Sequence, residues 1–263
     1  SAGSVAVACN PGSFTSWKIR DFAPSVELLQ VRMAKKRFGA LVRVRRCFLV
    51  NAPDIVICHS STDHWLSALA RQTLQKKFPI VRTRHISAPI TANPSTRWLY
   101  HHGCDAVITT GSGIKDAIVI SGLCSSSKVT SIPTGIDPSK FGRLTKAQAR
   151  ENLGLDPNLF LVGIIATLRS WKGHEDLIRA FSTIEDNVHL VIVGDGPRKQ
   201  ALQELAYTLG LTFRIKFVGQ QSDVATWFSA LDIYAQPSFA NEGVPQAILQ
   251  AMASGLPIVT CPV

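Results

Sequence analysis

Residues 231–259 read LDIYAQPSFANEGVPQAILQAMASGLPIV, and this stretch decides the fold. A short apolar run, a loop, a helical apolar pattern and a second apolar run predict strand, loop, helix and strand. The loop carries one acidic residue, Glu242, followed by Gly243, Val244 and Pro245 at the predicted start of the helix. Free amides in a first helical turn attract phosphate, so the pattern predicts an anion-binding turn with a carboxylate beside it. An ordinary strand-to-helix turn with a solvated Glu242 fits the same letters.

Strands and helices alternate along the whole chain, which predicts an α/β protein with doubly wound parallel sheets. The predicted strands cover residues 5–9, 54–58, 80–84, 105–109, 129–132, 159–166, 189–193, 214–218 and 233–235. Turn residues dominate the segment 133–143, so two domains are predicted, residues 1–138 and 139–263. Ligands of such folds bind at the carboxyl ends of the strands.

Charge is distributed unevenly along the 263 residues, whose formal net charge is +10. Residues 1–140 hold 18 Lys and Arg against 7 Asp and Glu, whereas residues 141–263 hold 10 against 11. The excess is concentrated in seven cations, which are Arg32, Lys35, Lys36, Arg37, Arg43, Arg45 and Arg46. Apolar residues at helical spacing among them predict a basic amphipathic helix; they are Phe38, Leu41, Val42, Phe48 and Leu49.

A basic amphipathic helix is either a solvated outer face of a domain or a contact with anionic lipid head groups. Nucleic acid is not expected as a partner, because the cluster lacks interleaved aromatic residues and the chain lacks a recognised nucleic-acid module.

Two cations, Arg169 and Lys172, follow the strand predicted at 159–166 and therefore lie at its carboxyl end. Preorganised cations stabilise the negative charge that develops on a diphosphate leaving group. A solvated turn with two surface cations is the alternative. Farther along the chain, Gly194 and Gly196 open another strand-to-helix turn, which is a weak dinucleotide-type signal without the full fingerprint.

Two histidines end neighbouring predicted strands: His59 follows residues 54–58, and His85 follows residues 80–84. Histidines at these positions face a ligand cleft or serve as structural hydrogen-bonding groups. A helix is predicted over about residues 62–77, with its N-cap at residue 61 or 62. The six cysteines have no paired spacing of the zinc or redox type, so reduced, mostly buried thiols and no metal cage are expected.

Taken in order, these motifs resemble those of the retaining family 4 glycosyltransferases (glycosyl transferases group 1) over about residues 54–259. The resemblance implies two Rossmann-like doubly wound domains of the GT-B type, incomplete at both termini. It places Glu242 near the donor sugar and Lys172 at the donor phosphates. The family's arginine position is Thr167 here, and Arg169 is expected to replace it. The family's second glutamate is Gln250 here, whose amide still offers hydrogen bonds to ribose hydroxyls.

The resemblance also implies which residues surround the donor. The expected catalytic residues are Glu242, Lys172, Arg169 and His59. The expected donor-binding residues are Gly243, Val244, Pro245, Gln250, Gly194, Gly196, Gly219, Gln220 and His85. The segment 131–137, SIPTGID, matches the family's interdomain turn.

The residues and the resemblance together predict an enzyme that moves a sugar from a UDP- or GDP-linked donor to a hydroxyl group. The expected acceptor is a lipid-linked or lipopolysaccharide-type glycan of the cell envelope, which places the protein in the cytoplasm or on the inner face of the membrane. No cofactor or metal is expected. A non-catalytic or truncated nucleotide-sugar-binding relative with membrane-surface affinity and a nucleotide-sugar epimerase stay open as alternatives. A truncated chain would leave sheet edges exposed, so poor stability and loss of activity are expected of such a fragment.

Overall fold

The computed structural model describes residues 3–85, 88–240 and 242–262. The chain forms two compact units, residues 1–133 (unit 1) and residues 134–263 (unit 2), which divide inside the segment 131–137. The sequence placed this boundary at 138/139. Parallel strands alternate with helices in both units, which confirms the predicted α/β class.

Unit 1 contains two parallel sheets among its described residues. The first pairs β1 (Ala6–Cys9) with β2 (Glu27–Gln30). The second holds, in chain order, β3 (Val56–Cys58), β4 (Ile80–Arg84), β5 (Ala106–Thr109) and β6 (Val129–Ser131). The strand β2 was not predicted, because its sequence ELLQ has polar ends and no β-branched residue.

The helices of unit 1 are α1 (Phe14–Phe22), α2 (Phe38–Asn51), α3 (Ser61–Gln72), α4 (Pro94–His101) and α5 (Ser112–Ile120). The predicted N-cap of α3 was wrong, because Ser60 and Asp63 form a capping box in which each side chain accepts from the other residue's amide. The predicted end at residue 77 was also wrong. Lys77 Nζ instead donates to the carbonyl oxygen of Gln72 at 3.3 Å and satisfies the end of the helix.

Helix α2 differs from the predicted amphipathic pattern. Its buried residues are the small Ala40 and Val44. Phe38, Val42 and Leu49, which the pattern grouped on one apolar face, are instead exposed by 81%, 49% and 55%. Large apolar side chains therefore share the outer face of α2 with its exposed cations.

The cysteines are free thiols, as the spacing predicted. Cys9, Cys58, Cys104 and Cys124 are buried, whereas Cys261 is exposed. Burial raises the pKa of Cys58 to about 12 and the pKa of Cys104 to about 11, so both stay protonated at neutral pH. The buried thiols act as small apolar residues in the core of unit 1.

Unit 2 is built on one parallel sheet, whose strand order in the described residues is β11-β10-β7-β8-β9. The strands are β7 (Phe160–Ile165), β8 (Val188–Val193), β9 (Ile215–Gly219), β10 (Ile233–Gln236) and β11 (Ile258–Thr260). Strands β7 and β8 are buried on both faces: Ile164 and Ile192 pack into one core, and Leu161 and Val191 pack into the other.

The helices of unit 2 are α6 (Lys146–Asn152), α7 (His174–Ala180), α8 (Lys199–Thr208), α9 (Val224–Ala230) and α10 (Gln246–Ala253). The chain first adds β8 and β9 on one side of β7 and then adds β10 and β11 on the other side. The strand order thus reverses between β7 and β10. In doubly wound sheets, ligands bind at the carboxyl edge beside such a reversal.

Candidate functional site

The loops at the carboxyl edge of the unit 2 sheet are joined by backbone hydrogen bonds. The amide of Leu168, after β7, donates to the carbonyl of Asp195, after β8, at 3.0 Å. The amide of Gly194 donates to the carbonyl of Gly219, at the end of β9, at 2.8 Å. These bonds hold the loops after three strands as one rigid rim.

Two glycines predicted to bind the donor are required by the packing of this rim. Gly194 has a φ of +144°, and a Cβ there would lie 2.0 Å from the carbonyl oxygen of Ala166. A Cβ on Gly196 would lie 2.6 Å from the carbonyl oxygen of Leu168. Gly219 differs, because a Cβ there would meet open space and only its φ of +78° favours glycine. The first two glycines therefore shape the loop, and Gly219 leaves space beside it.

An ion pair between Lys172 and Glu242 is the central feature of the rim. Lys172 ends a 3₁₀ turn, Ser170–Lys172, in the loop after β7, and Glu242 lies in the loop after β10. Lys172 Nζ lies 2.5 Å from Glu242 Oε1. The side chains are only 19% and 8% exposed, so the pair is largely removed from water. The two residues predicted as cation and acid thus meet at the point where the strand order reverses.

The charge of Glu242 affects the pKa of a buried tyrosine on β10, Tyr234. Tyr234, on β10, donates its hydroxyl to Gln236 Oε1 at 2.5 Å, and Gln236 Nε2 donates to Ser238 Oγ at 3.4 Å. Burial raises the pKa of Tyr234, and the nearby Glu242 carboxylate raises it further. Tyr234 is therefore a hydrogen-bond donor that supports the loop leading to Glu242.

Residues 243–245 lead from Glu242 into α10, as predicted. Pro245 is the N-cap of α10, and the amide of Ile248 is the first that bonds back to its carbonyl, at 3.1 Å. The amides of Gln246 and Ala247 precede this bond and have no carbonyl one turn earlier in the helix. Gln250 is half-buried on the same helix. The start of α10 therefore leaves two amides without a hydrogen bond inside the helix, and anion binding at this turn stays a prediction.

The predicted second cation is arranged differently from the first. The Arg169 guanidinium lies 5.7 Å from the centre of the Trp171 ring, and the Arg169 side chain is exposed. Gln220, after β9, is exposed as well. The structure therefore places both residues on the rim, outside the buried ion pair.

The two histidines of unit 1 form a pair that the sequence did not indicate. His59 Nδ1 lies 3.0 Å from His85 Nε2, and the two rings stack at an angle of 13°. The amide of His59 donates to Asp63 Oδ2 at 3.0 Å, which fixes its backbone. Burial lowers the pKa of His85, and the charges of His59 and Arg82 lower it further. Either ring can donate to the other, depending on the tautomers; in the pair with both rings neutral, the outer nitrogens offer one donor and one acceptor.

One buried residue of the rim was missed in the sequence. His174 begins α7 and is 1% exposed, and neither ring nitrogen has a hydrogen-bond partner among the described residues. Burial, with the Lys172 charge, lowers the pKa of His174 to about 4. The only local signal was its position two residues after Lys172.

The described residues contain no group of three or more His, Cys, Asp or Glu side chains arranged to hold a metal ion. No helix in the described ranges has the length and apolar character needed to cross a membrane.

Two family models match the chain. Residues 10–140 match the model described as Glycosyltransferase Family 4, and residues 145–263 match the model described as Glycosyl transferases group 1. The histidine pair lies in the first match, and the Lys172–Glu242 pair lies in the second.

Curated relatives match parts of the chain at moderate identity. The lipopolysaccharide core biosynthesis mannosyltransferase LpsB of Rhizobium meliloti is 33% identical over 139 residues, which are 49% of this chain and 39% of that protein. The N-acetyl-alpha-D-glucosaminyl L-malate synthase of Bacillus anthracis is 26% identical over 214 residues, which are 78% of this chain and 56% of that protein. The chain therefore spans about half the length of these relatives.

A solved structure supports the fold. Anabaena HepE, crystallised with UDP-glucose, matches with a TM-score of 0.83 at 22% identity, over 97% of this chain and 72% of that chain. The likeness confirms the predicted GT-B type of fold with two Rossmann-like domains.

Proposed function

This chain belongs to the glycosyltransferases that the two family models describe, and on that premise we propose that it moves a sugar from a nucleoside diphosphate donor to an acceptor hydroxyl, with retention at the anomeric carbon. The observation that carries the proposal is the largely buried ion pair of Lys172 and Glu242. Glu242 lies four residues before the start of α10. A cation, a carboxylate and free helix amides on one rim are the groups that a diphosphate leaving group and its sugar require.

Lys172 is the proposed cation for the leaving group. When the bond between the anomeric carbon and the phosphate oxygen breaks, its electron pair stays on the diphosphate. Lys172 Nζ and the first amides of α10 stabilise this charge, and Arg169 adds a second cation from the exposed side of the rim. Because Lys172 is held by Glu242 before the donor arrives, little reorganisation is needed during the reaction.

Glu242 and Gln250 are the proposed contacts to the donor's sugar and ribose. The Glu242 carboxylate orients the sugar by accepting bonds from its hydroxyls and stabilises positive charge at the anomeric carbon. The Gln250 amide both donates and accepts, so it suits the ribose diol. The residues proposed to border the nucleotide and its phosphates are Gly243, Val244, Pro245, Gly194, Gly196, Gly219 and Gln220.

His59 and His85 are the proposed sugar-hydroxyl contacts of unit 1. A hydroxyl group donates one hydrogen bond and accepts others, and the outer nitrogens of this pair offer one acceptor and one donor. The pair therefore suits a sugar hydroxyl.

The acceptor we propose is a lipid-linked or lipopolysaccharide-type glycan, reached from the cytoplasmic face of a membrane. The relative named for lipopolysaccharide core biosynthesis supports this assignment. Helix α2 supports it too, because Phe38, Val42 and Leu49 on its exposed face can insert among lipids while Arg43 and Arg46 contact anionic head groups. Replacing Phe38 and Leu49 with serine should reduce cosedimentation with phosphatidylglycerol vesicles.

A turnover experiment tests the proposed function. The chain is incubated in EDTA with a lipopolysaccharide-type glycan acceptor and UDP-glucose, UDP-N-acetylglucosamine or GDP-mannose. NMR follows release of the nucleotide and the configuration of the sugar transferred to the acceptor. We expect one donor to be consumed with retained configuration, because the site neutralises the diphosphate without a metal. Lys172→Met and Glu242→Gln should each slow release by about 100-fold or more. Lys216→Met, at an exposed position on β9, is the matched control and should keep the rate.

Other outcomes would identify the alternatives. Full activity in both site variants would show that the site is wrongly assigned. Saturable binding of the nucleotide sugar without formation of free nucleotide would favour a non-catalytic nucleotide-sugar-binding relative. Conversion of the donor into a different nucleotide sugar would favour an epimerase.

A further inference from the structure

The loop between β2 and α2, at the carboxyl end of β2, concentrates positive charge. Four exposed cations lie in residues 31–37; they are Arg32, Lys35, Lys36 and Arg37. No Asp or Glu occurs between residues 31 and 53. Within the described part of the chain, none of the four cations lies within ion-pair distance of a carboxylate. The loop therefore presents uncompensated charge to solvent.

One of these cations is held in a defined position. Lys36 Nζ donates to Ser61 Oγ at 3.3 Å and lies 5.4 Å from the centre of the Trp65 ring. Ser61 is the first residue of α3, two residues after His59. Lys36 thus links the loop after β2 to the first turn of α3, so its charge lies close in the sequence to His59 of the histidine pair.

Two stacked tryptophans lie next to Lys36. The Trp65 and Trp98 rings stack with their centres 5.9 Å apart at an angle of 18°, although they belong to different helices, α3 and α4. Both side chains are half-buried, so part of each indole reaches solvent. The faces of aromatic rings are electron-rich and attract the positively polarised C–H groups of a sugar ring.

We propose that Lys36, Trp65 and Trp98 form an acceptor subsite for a sugar that carries an anionic group, either phosphate or carboxylate. The indoles contact the sugar ring and Lys36 pairs with the anion, while the other cations of the loop raise the local concentration of anionic ligands. The inference rests on the proposed function, because a transferase must bind an acceptor as well as a donor. The acceptor would then be an acidic or phosphorylated glycan.

The position of Lys36 argues against a purely lipid-binding role for this cation. Its ammonium group lies against α3 and the tryptophan pair, whereas the exposed apolar residues that suit a membrane, such as Phe38 and Leu49, lie on α2. A lipid phosphate and a sugar phosphate nevertheless share the same charge chemistry, so both are included in the test.

Calorimetric titration of the full chain with glucose 6-phosphate, glucuronate, glucose and inorganic phosphate tests the subsite. We expect the two anionic sugars to bind at least about tenfold more tightly than either glucose or phosphate alone. Lys36→Gln, an exposed change that leaves the core intact, and Trp98→Leu should each weaken this binding about tenfold or more. Lys76→Gln is the matched control, because Lys76 is 66% exposed beyond the end of α3, and it should bind as the wild type does.

The proposal would be overturned if glucose bound as tightly as glucose 6-phosphate, or if Lys36→Gln kept wild-type affinity. Phosphate binding as tightly as glucose 6-phosphate would reduce the site to a simple anion site. If Lys36→Gln impaired binding to phosphatidylglycerol vesicles and left glucose 6-phosphate binding intact, the anion would belong to a lipid. UDP and GDP binding, measured on the same variants, tests the proposed function separately. Failure of the wild type to bind either nucleotide, with retained sugar-phosphate binding, would refute the donor site and leave this subsite standing.

Discussion

The ion pair between Lys172 and Glu242 makes a quantitative prediction about stability. Two unit charges 2.5 Å apart attract by about 7 kcal/mol at an effective dielectric constant of about 20. Most of this attraction offsets the cost of removing both groups from water, since the side chains are 19% and 8% exposed. We therefore expect a net coupling free energy of about 2 kcal/mol between the two side chains.

A double-mutant cycle measures this coupling. Urea unfolding at pH 7 would be followed for the wild type, Lys172→Met, Glu242→Gln and the double variant. Each single change should lower the free energy of unfolding by about 2–3 kcal/mol, because it leaves the other charge in a poorly hydrated position. The double variant should lose clearly less than the sum of the two single changes.

A second cycle provides the control. Arg179 and Glu175 form an ion pair at 3.0 Å within α7, with side chains 57% and 43% exposed. Because water screens this pair, its coupling should be about 0.3–0.5 kcal/mol. A coupling between Lys172 and Glu242 that is no larger than that of the control would refute the argument that burial strengthens the pair.

Two further predictions concern the rim of unit 2. The pKa of His174 is about 4 in the folded protein and about 6.5 when unfolded. The unfolded state therefore binds a proton first as the pH falls. Between pH 7 and pH 4, His174 should therefore lower the free energy of unfolding by about 3 kcal/mol. His174→Leu should remove this loss when urea unfolding is measured across that pH range. The same pH dependence in His174→Leu and the wild type would contradict the prediction. Gly194→Ala should lower the free energy of unfolding by about 3 kcal/mol or more, because the new Cβ would clash with the carbonyl of Ala166. Gly210 also has a positive φ, of +69°, but open space around it, so Gly210→Ala should lower the free energy of unfolding by only about 1 kcal/mol. Equal losses at the two glycines in thermal unfolding would show that the clash is unimportant.

Local sequence was sufficient to predict most elements of unit 2. Its central strands, β7 and β8, are largely apolar runs, and such runs are typical of strands buried on both faces of a parallel sheet. Helix α10 ends just before Gly255, whose φ of +71° favours glycine. In unit 1, β2 lacks such a run, and Phe38 and Leu49 of α2 have apolar spacing but face outward. Local patterns fail where an outer surface carries apolar side chains.

The contacts that form the candidate site could not be predicted from the sequence. Lys172 and Glu242 are 70 residues apart, and His59 and His85 are 26 residues apart. The motifs placed each of them at the carboxyl end of a strand, but the order of the strands decides which ends are neighbours. The ring nitrogens of His174 have no hydrogen-bond partner among the residues that the structure describes, because of how the loops pack around the ring, which no spacing in the sequence encodes.

Calorimetric titration of UDP and GDP into the wild type, Lys172→Met and Lys216→Met tests the donor site most directly. We expect one nucleotide to bind the wild type and the Lys216→Met control with one-to-one stoichiometry. A charge-assisted hydrogen bond contributes about 1.5–3 kcal/mol, so Lys172→Met should bind about 10–100-fold more weakly. Failure of the folded wild type to bind either nucleotide, or equal affinity in Lys172→Met, would contradict the assignment of the rim of unit 2 to a nucleotide-sugar donor.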